Sequence, residues 1–335
     1  MSNPFFIAEI SANHLGSPDR AHRLVEAAGT AGANAVKFQT YTPDTMTLKK
    51  DEFHISEDHA LWGGLTLHQL YAEAMTPWEW HKELFEHAIS IGLVPFSSPF
   101  DHSAVDFLEG IGCPMYKIAS METGDVDLIE YVGRTGKPMI MSTGASTLEE
   151  ISLAVTAARR GGCNDLTLLV CTSAYPTHPR ESHIKRINTL RKEFGTQIGI
   201  SDHTLGVGVS LAAIALGATM VEKHLTLQRV DGGHDSAFSM EPSEFEFLVS
   251  EGKSVAESLG SPDWVIQPSE QESRKLRRSL FISQNVRKGE VATRANVKSL
   301  RPNLGGPIIN MNLILGKSFN DDYVAGTAAT IECVE

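Results

Sequence analysis

Four cysteines in 335 residues, Cys113, Cys163, Cys171 and Cys333, are too few and too irregularly spaced for a disulfide framework. No Cys-x-x-Cys pair points to zinc or redox chemistry, so they read as reduced, mostly buried thiols. Long apolar runs are also missing: no stretch approaches the roughly 20 apolar residues of a spanning helix, which excludes a membrane protein. The N-terminal MSNPFFIAEI lacks a charged segment ahead of an apolar one, so no export signal is expected and a cytoplasmic location is. Positive charge is scarce. Lys+Arg 29 against Asp+Glu 41 gives a net charge of −12, without the basic run that neutralises a nucleic-acid backbone, so no nucleic-acid partner is expected. An anionic ligand must be met by cations placed one by one.

What is present is alternation. Eight short apolar runs recur: 5–10 (FFIAEI), 35–40 (AVKFQT), 93–98 (LVPFSS), 115–120 (MYKIAS), 139–144 (MIMSTG), 166–173 (LTLLVCTS), 197–203 (QIGISDH) and 220–226 (MVEKHLT). Between them lie stretches of helical periodicity at 19–32, 78–92, 148–161 and 208–217, several ending at glycine as helix C-termini often do. Eight strand–helix units point to an α/β fold, a (β/α)8 TIM barrel over 1–260, with a doubly wound open sheet as the alternative. Thr76-Pro77-Trp78-Glu79 and Ser146-Thr147-Leu148-Glu149 read as helix starts, with Thr76 and Ser146 as caps. A polar stretch at 261–277 reads as a linker, and 278–335 as a small module of short β-like pieces, among them SLFISQNV and ATIECV. Residues 279–335 carry a net charge of +1, so the negative charge belongs to the barrel. The connection from Tyr41 to the helix at Trp78 is longer than the others, and an insertion after a barrel strand lies on the face where substrate loops are found.

Strand interiors of a barrel are filled by apolar side chains, so the polar residues at strand C-termini carry the information. They are Glu9 with Asn13 and His14, Lys37 with Gln39, Ser98, Lys117 with Ser120 and Glu122, Ser142 with Thr143, Ser173 with Tyr175, Ser201 with His203, and Glu222 with His224. The two-residue strand period puts Lys37 and Gln39, Ser201 and His203, and Glu222 and His224 on common faces, and turns Lys223 outward toward the helices. Lys37 and Lys117 with the hydroxyls of Ser98, Ser120, Ser142 and Ser201 make a suitable nest for a phosphate. His203 and His224, on the last two strands, can share a divalent metal, or can be neutral hydrogen-bonded histidines. Glu9, Glu122, Glu222 and Asp235 are candidate acids, bases or partners of other site groups. Two mechanisms suit this set: a Schiff-base aldolase using Lys117 or Lys37, and a metal-assisted condensation of a phosphate-bearing enol with a carbonyl. Two lysines among hydroxyls, opposite two histidines, favour the second.

Nine segments, IAEISANHLGS (7–17), AVKFQTYTPDTMTL (35–48), LWGG…LY…AMTPWEWH (61–81), FSSPFD (96–101), YKIASME (116–122), STG (142–144), CTSAYPT (171–177), ISDHTLG (200–206) and VEKHLTL (221–227), resemble the sialic acid synthase family. The resemblance covers essentially the whole chain; RRSLFISQNVRKGEVATRANVKSLRP looks like the family's antifreeze-like (SAF, β-clip) domain, and TYTPDTMTL and TPWEW are nearest the pseudaminic acid branch. It implies a metal-dependent condensation, usually with Mn2+ and with Mg2+ or Co2+ as substitutes, of phosphoenolpyruvate with an amino-sugar aldehyde. For that branch the sugar is 2,4-diacetamido-2,4,6-trideoxy-L-altrose; the N-acetylneuraminate and legionaminic acid branches are the alternatives. The resemblance places the metal ligands on His203 and His224, the catalytic carboxylates on Glu9 and Glu122, and phosphoenolpyruvate contacts on Lys37, Ser98, Lys117, Ser120, Ser142, Ser173, Tyr175 and Ser201. Gln39 and Asp235 match positions near the sugar. Ser173 stands where the neuraminate branch has Asn. By its own context Arg301 is a solvated arginine before a turn proline; the resemblance implies instead that it reaches a partner subunit's sugar site in a domain-exchanged homodimer. A reading of another class is a non-enzymatic carbohydrate- or ice-binding protein.

Overall fold

The computed structural model describes residues 3–57 and 61–335. Eight parallel strands close a barrel in chain order: β1 (Phe5–Glu9), β2 (Ala35–Thr40), β3 (Val94–Pro99), β4 (Tyr116–Ile118), β5 (Met139–Ser142), β6 (Leu166–Cys171), β7 (Gln197–Ser201) and β8 (Met220–His224), with β8 pairing back onto β1. All eight apolar runs are strands, and most stop short of the last polar residues, which lie in the loops beyond. The open-sheet alternative is overturned by the closure of β8 on β1. Register decides which polar groups meet. Glu9 is the partner of Lys37 on one side and of His224 on the other, and Ser201 is the partner of Glu222.

Helices Pro18–Thr30, Trp78–Ser90, Leu148–Gly161 and Gly208–Ala215 stand where the periodicity puts them, though two caps differ from expectation. The Trp78–Ser90 helix has Pro77 at its cap with no side-chain bond, because proline already fixes the entry, and Thr76 is not used. The Leu148–Gly161 helix is capped one residue later than expected, by Thr147 with Glu150. The Ser146 hydroxyl is spent on the Gly144 carbonyl at 3.0 Å.

Residues 261–335 form a second compact unit, with β9 (Ser279–Ile282) and β10 (Val297–Leu300) antiparallel over a core that includes Leu280, Ile282, Val297, Ile314 and Phe319. Residues 261–277 are exposed throughout. The expected strand at 329–334 is instead a 3-10 turn, Ile331–Cys333, with a bridge from Val334 to Phe319 and a hydrogen bond from Asn320 N to the Cys333 carbonyl at 3.1 Å. All four cysteines are free and buried. Among the described residues no helix is long and apolar enough to cross a membrane.

Lys223 points away from the barrel interior, as the period requires, and is not solvated there. Its Nζ lies 3.1 Å from Asp202 Oδ2 and donates to the carbonyls of Thr204 (2.7 Å) and Gly206 (3.0 Å), with both side chains 1% exposed. The Asp202 carboxylate also accepts from Thr204 N at 2.9 Å and Ser210 Oγ at 2.6 Å. This ion pair braces the turn that carries His203. Removing one partner leaves a buried charge alone, so Lys223→Met or Asp202→Asn is expected to cost about 3–5 kcal/mol of stability, with the double change restoring much of it. Denaturant midpoints measure this, and equal costs in the single and double variants would contradict it.

Candidate active site

The strand ends converge on a cavity of about 490 Å³ at the C-terminal mouth of the barrel. Of the residues singled out from the sequence, Lys37, Gln39, Lys117, Ser120, Glu122, Ser142, Tyr175, Ser201, His203, Glu222, His224 and Asp235 line it. Glu9 and Ser98, both 0% exposed, stand directly behind Lys37. Ser173 sits against Gly144: a Cβ added there would fall 2.3 Å from Ser173 Oγ and 2.7 Å from Ser120 Oγ. A bare glycine is therefore what allows these two hydroxyls to gather at one point, where the Ser120 hydroxyl also accepts from Gly144 N at 3.1 Å. Arg301 lies in the second unit, where it is exposed.

The buried floor is one polar network. Lys37 Nζ lies 2.6 Å from Glu9 Oε2 and 3.5 Å from Glu222 Oε2, and Lys117 Nζ lies 3.9 Å from Glu222 Oε1. Lys117 donates to Ser142 Oγ at 2.7 Å, Ser201 donates to Glu222 Oε1 at 2.8 Å, and Gln39 donates to Glu9 Oε1 at 3.1 Å and Ser11 Oγ at 3.0 Å. Ser11 in turn donates to Asp235. Full burial sets the protonation states. It raises Glu9 to about 7, against the opposing pull of Lys37. Burial alone would also raise Glu222, but Lys117 and Lys37 together bring it down to about 2. Burial lowers Lys117 despite Glu222, whereas for Lys37 the attraction of Glu222 and Glu9 exceeds the burial penalty and raises it. Glu122, with a buried Oε2 that has no partner, is raised by burial to about 7. The floor thus holds two amines beside one firm carboxylate and two carboxyls that exchange protons near neutrality. Such a site can fix an anion and move a proton.

His203 and His224 face each other with ring centroids 5.3 Å apart. His203 Nδ1 lies 3.0 Å from the Thr172 carbonyl, which can only accept, so the Nδ1 proton is committed and Nε2 is left bare in the neutral ring. His224 Nδ1 is buried without a partner, and burial followed by the charge of His203 holds this histidine well below its ordinary pKa. Burial opposes charge on His203 and the Cys171 thiol favours it, with a net rise, so a cation here competes with a proton. A buried imidazole nitrogen with no partner is costly unless something fills the place. Two imidazoles so disposed would suit a first-row divalent cation. Among the described residues no third His, Cys, Asp or Glu completes a ligand cluster.

Sequence reasoning left several lining residues without a role: Ser11, Tyr41, Trp62, Tyr71, Cys171 and His234. Ser11 and Cys171 carried a signal, since both end or follow barrel strands. The others come from the insertion and from the loop after β8, which touch only in the fold. Trp62 Nε1 donates to the His234 carbonyl at 2.9 Å and His234 Nε2 lies 3.0 Å from Glu73 Oε2, so the two segments close over the cavity together.

Comparison with known proteins agrees with this geometry. A family profile described as "NeuB family" matches residues 24–263. The chain is similar to a pseudaminic acid synthase of Helicobacter pylori, 41% identical over 99% of this chain and 98% of that one. It is also similar to one of Campylobacter jejuni, 38% identical over 97% and 94%. Among solved structures it resembles an N-acetylneuraminic acid synthetase of Leptospira borgpetersenii in complex with citrate. The TM-score is 0.73 at 31% identity, covering 81% of this chain and 90% of that one.

Proposed function

The chain belongs to the NeuB family, and from that premise we propose that it is a pseudaminic acid synthase, condensing phosphoenolpyruvate with 2,4-diacetamido-2,4,6-trideoxy-L-altrose and releasing phosphate. The observation that carries this reading is the Lys37–Lys117 pair among serine hydroxyls, facing two histidines across one cavity. His203 and His224 would hold a divalent cation, Mn2+ with Mg2+ or Co2+ as substitutes, which would supply a Lewis acid for the sugar aldehyde. Lys37 and Lys117, with Ser120, Ser142, Ser173 and Ser201 around them, hold the phosphate and stabilise its charge as it leaves. Ser98 supports Lys37 from behind, and Tyr175, packed 4.4 Å from the His203 ring, closes the side of the enol.

Bond making follows from this placement. C3 of phosphoenolpyruvate attacks the aldehyde carbon, water adds at C2, and the C2–O bond to phosphate breaks, the C2 hydroxyl proton leaving with the phosphate, to give the 2-keto acid. Glu9 takes the proton of that water, and Glu122, a carboxyl that keeps its proton up to about pH 7, gives one to the new hydroxyl. Gln39 and Asp235, joined through Ser11, orient the sugar. Phosphoenolpyruvate is a cytoplasmic metabolite, and the enzyme works there.

The test is phosphate release from phosphoenolpyruvate with the altrose derivative, N-acetylmannosamine and the legionaminate precursor, with and without Mn2+. The altrose derivative with metal is expected to be fastest; release from none of them would overturn the reading. The lowered pKa of buried Lys117 is what a Schiff-base aldolase would need. Borohydride with pyruvate therefore decides: no adduct on Lys117 is expected, and a trapped adduct would replace the metal route. We further place Arg301 on a partner subunit's sugar in a domain-exchanged homodimer formed through the antifreeze-like domain. Arg301→Ala is expected to raise the sugar KM about tenfold or more, the loss of one charge-assisted contact. An active monomer in sedimentation, or an unchanged KM, would contradict it.

A further inference from the structure

Each of the two histidines at the barrel mouth follows a charged residue in the chain: Asp202 precedes His203 and Lys223 precedes His224. Neighbouring residues of extended chain point to opposite faces, so the imidazoles line the cavity while the two charges turn behind it, toward the helices. There they meet, with Lys223 Nζ 3.1 Å from Asp202 Oδ2. One ion pair thus joins the residue behind one imidazole to the residue behind the other.

The backbone leaves this tie a task. Ladder pairing between β7 and β8 ends at Ser201 with Glu222, followed by the bond from Asp202 N to the Glu222 carbonyl at 3.0 Å. His203 lies past that rung, in the loop leading to the helix Gly208–Ala215. On the β6 side it is held by the Thr172 carbonyl, 3.0 Å from Nδ1, and by Thr177 N, which donates to its carbonyl at 3.0 Å. On the β8 side Lys223 reaches across to the same loop, donating to the carbonyls of Thr204 and Gly206 as well as to Asp202. His224 is fixed separately, its carbonyl accepting from Met240 N at 2.8 Å. The separation of the two rings, 5.3 Å between centroids, therefore depends on how firmly the His203 loop is drawn to β8.

We infer that the Asp202–Lys223 ion pair is a positioning device for the cation site: it fixes the spacing of the His203 and His224 imidazoles, and its loss weakens divalent-cation binding beyond any effect on stability. The inference rests on the reading of these histidines as cation ligands. Freedom left in the His203 loop must be given up when a cation binds, and that entropy is subtracted from the affinity.

The test is a Mn2+ titration, followed by the paramagnetic resonance of the free ion, on the parent and on the double variant Asp202→Asn with Lys223→Met. The double change keeps the net charge and leaves neither member buried alone, so stability returns toward that of the parent. Its Mn2+ dissociation constant is nonetheless expected to rise about 10- to 100-fold, the range for groups that orient metal ligands. At saturating Mn2+ its kcat should stay within a few-fold of the parent's, so the defect appears in the activation midpoint. Ser210→Ala removes the 2.6 Å bond to the Asp202 carboxylate but keeps the ion pair, and should leave the Mn2+ constant unchanged. Phosphoenolpyruvate binding, measured without metal, reports a folded barrel in each variant. A double variant that binds Mn2+ as tightly as the parent, or a Ser210→Ala variant weakened as much as the double, overturns the positioning role and leaves the cation reading intact. A parent that binds no Mn2+ overturns both.

Discussion

Glu9→Gln is expected to reduce kcat by about 10²- to 10⁴-fold, the range for a positioned proton acceptor, while the dissociation constant for phosphoenolpyruvate stays within a few-fold. The carboxyl is 0% exposed at the end of β1 and is fixed from two sides, by Gln39 at 3.1 Å and by Lys37 at 2.6 Å. Glutamine keeps the shape and an oxygen for Gln39. Lys37 loses one counter-ion but retains Glu222 at 3.5 Å, whose pKa near 2 keeps it ionised, so the amine that grips phosphate remains a cation. Turnover and binding should therefore separate. The pH profile gives an independent reading. Burial raises Glu9 to about 7, and the base is its deprotonated form, so kcat should climb as pH rises through about 7. That limb should vanish in the Gln variant. Glu122 is raised to about 7 as well, but its proposed form is the protonated one, so Glu122→Gln should remove a limb falling above about 7 and leave the rising one. Near-normal turnover in Glu9→Gln would remove it from the chemistry, and a parallel loss of phosphoenolpyruvate binding would reduce it to a holder of Lys37.

Much of this site was legible because a parallel barrel imposes a simple rule: strands are apolar inside and chemistry gathers where they end. Glu9, Lys117, Ser142, Ser201 and His224 all stand at or within a residue of a strand end, Lys37 lies inside β2, and the two-residue period fixes which way they point. The register that sets Glu9 beside both Lys37 and His224 was not legible, since it depends on closure between the first strand and the last. Nor was the work of Lys223. Period two turns it outward, but only the fold shows that it meets a buried Asp202 instead of water. The helix cap at 146–150 failed for a different reason. Ser146–Glu149 and Thr147–Glu150 both satisfy the capping pattern, and the choice is made by Gly144, whose carbonyl takes the Ser146 hydroxyl. The role of the insertion was hidden because an apolar lid and an ordinary core segment share a composition. Met46, Ile55 and Leu67 line the cavity, and Trp62 and Glu73 tie the same segment to His234.

Replacing both His203 and His224 with Ala should abolish turnover and cation binding together. Lewis-acid activation of a carbonyl supplies several kcal/mol, and at 1.36 kcal/mol per decade the loss is about 10³-fold or more. The obvious objection is that two buried side chains have been removed from the barrel mouth and the protein has simply unfolded. The surroundings of the two rings argue against this. His224 Nδ1 is buried with no partner, so deleting that ring also deletes an uncompensated polar group, and His203 contributes a bond to the Thr172 carbonyl and ring packing on Tyr175. The turn carrying His203 stays braced from the other side by Asp202 and Lys223. The metal-free variant should therefore melt close to the metal-free parent. The distinguishing observation is linkage: a ligand that binds only the folded state raises the melting temperature by mass action. Saturating Mn2+ should raise it for the parent and leave the double variant unmoved, with direct Mn2+ titration showing the same loss. Turnover that persists in the double variant and is still abolished by a chelator would place the cation elsewhere, and turnover that persists without chelator sensitivity would return the chemistry to Lys117.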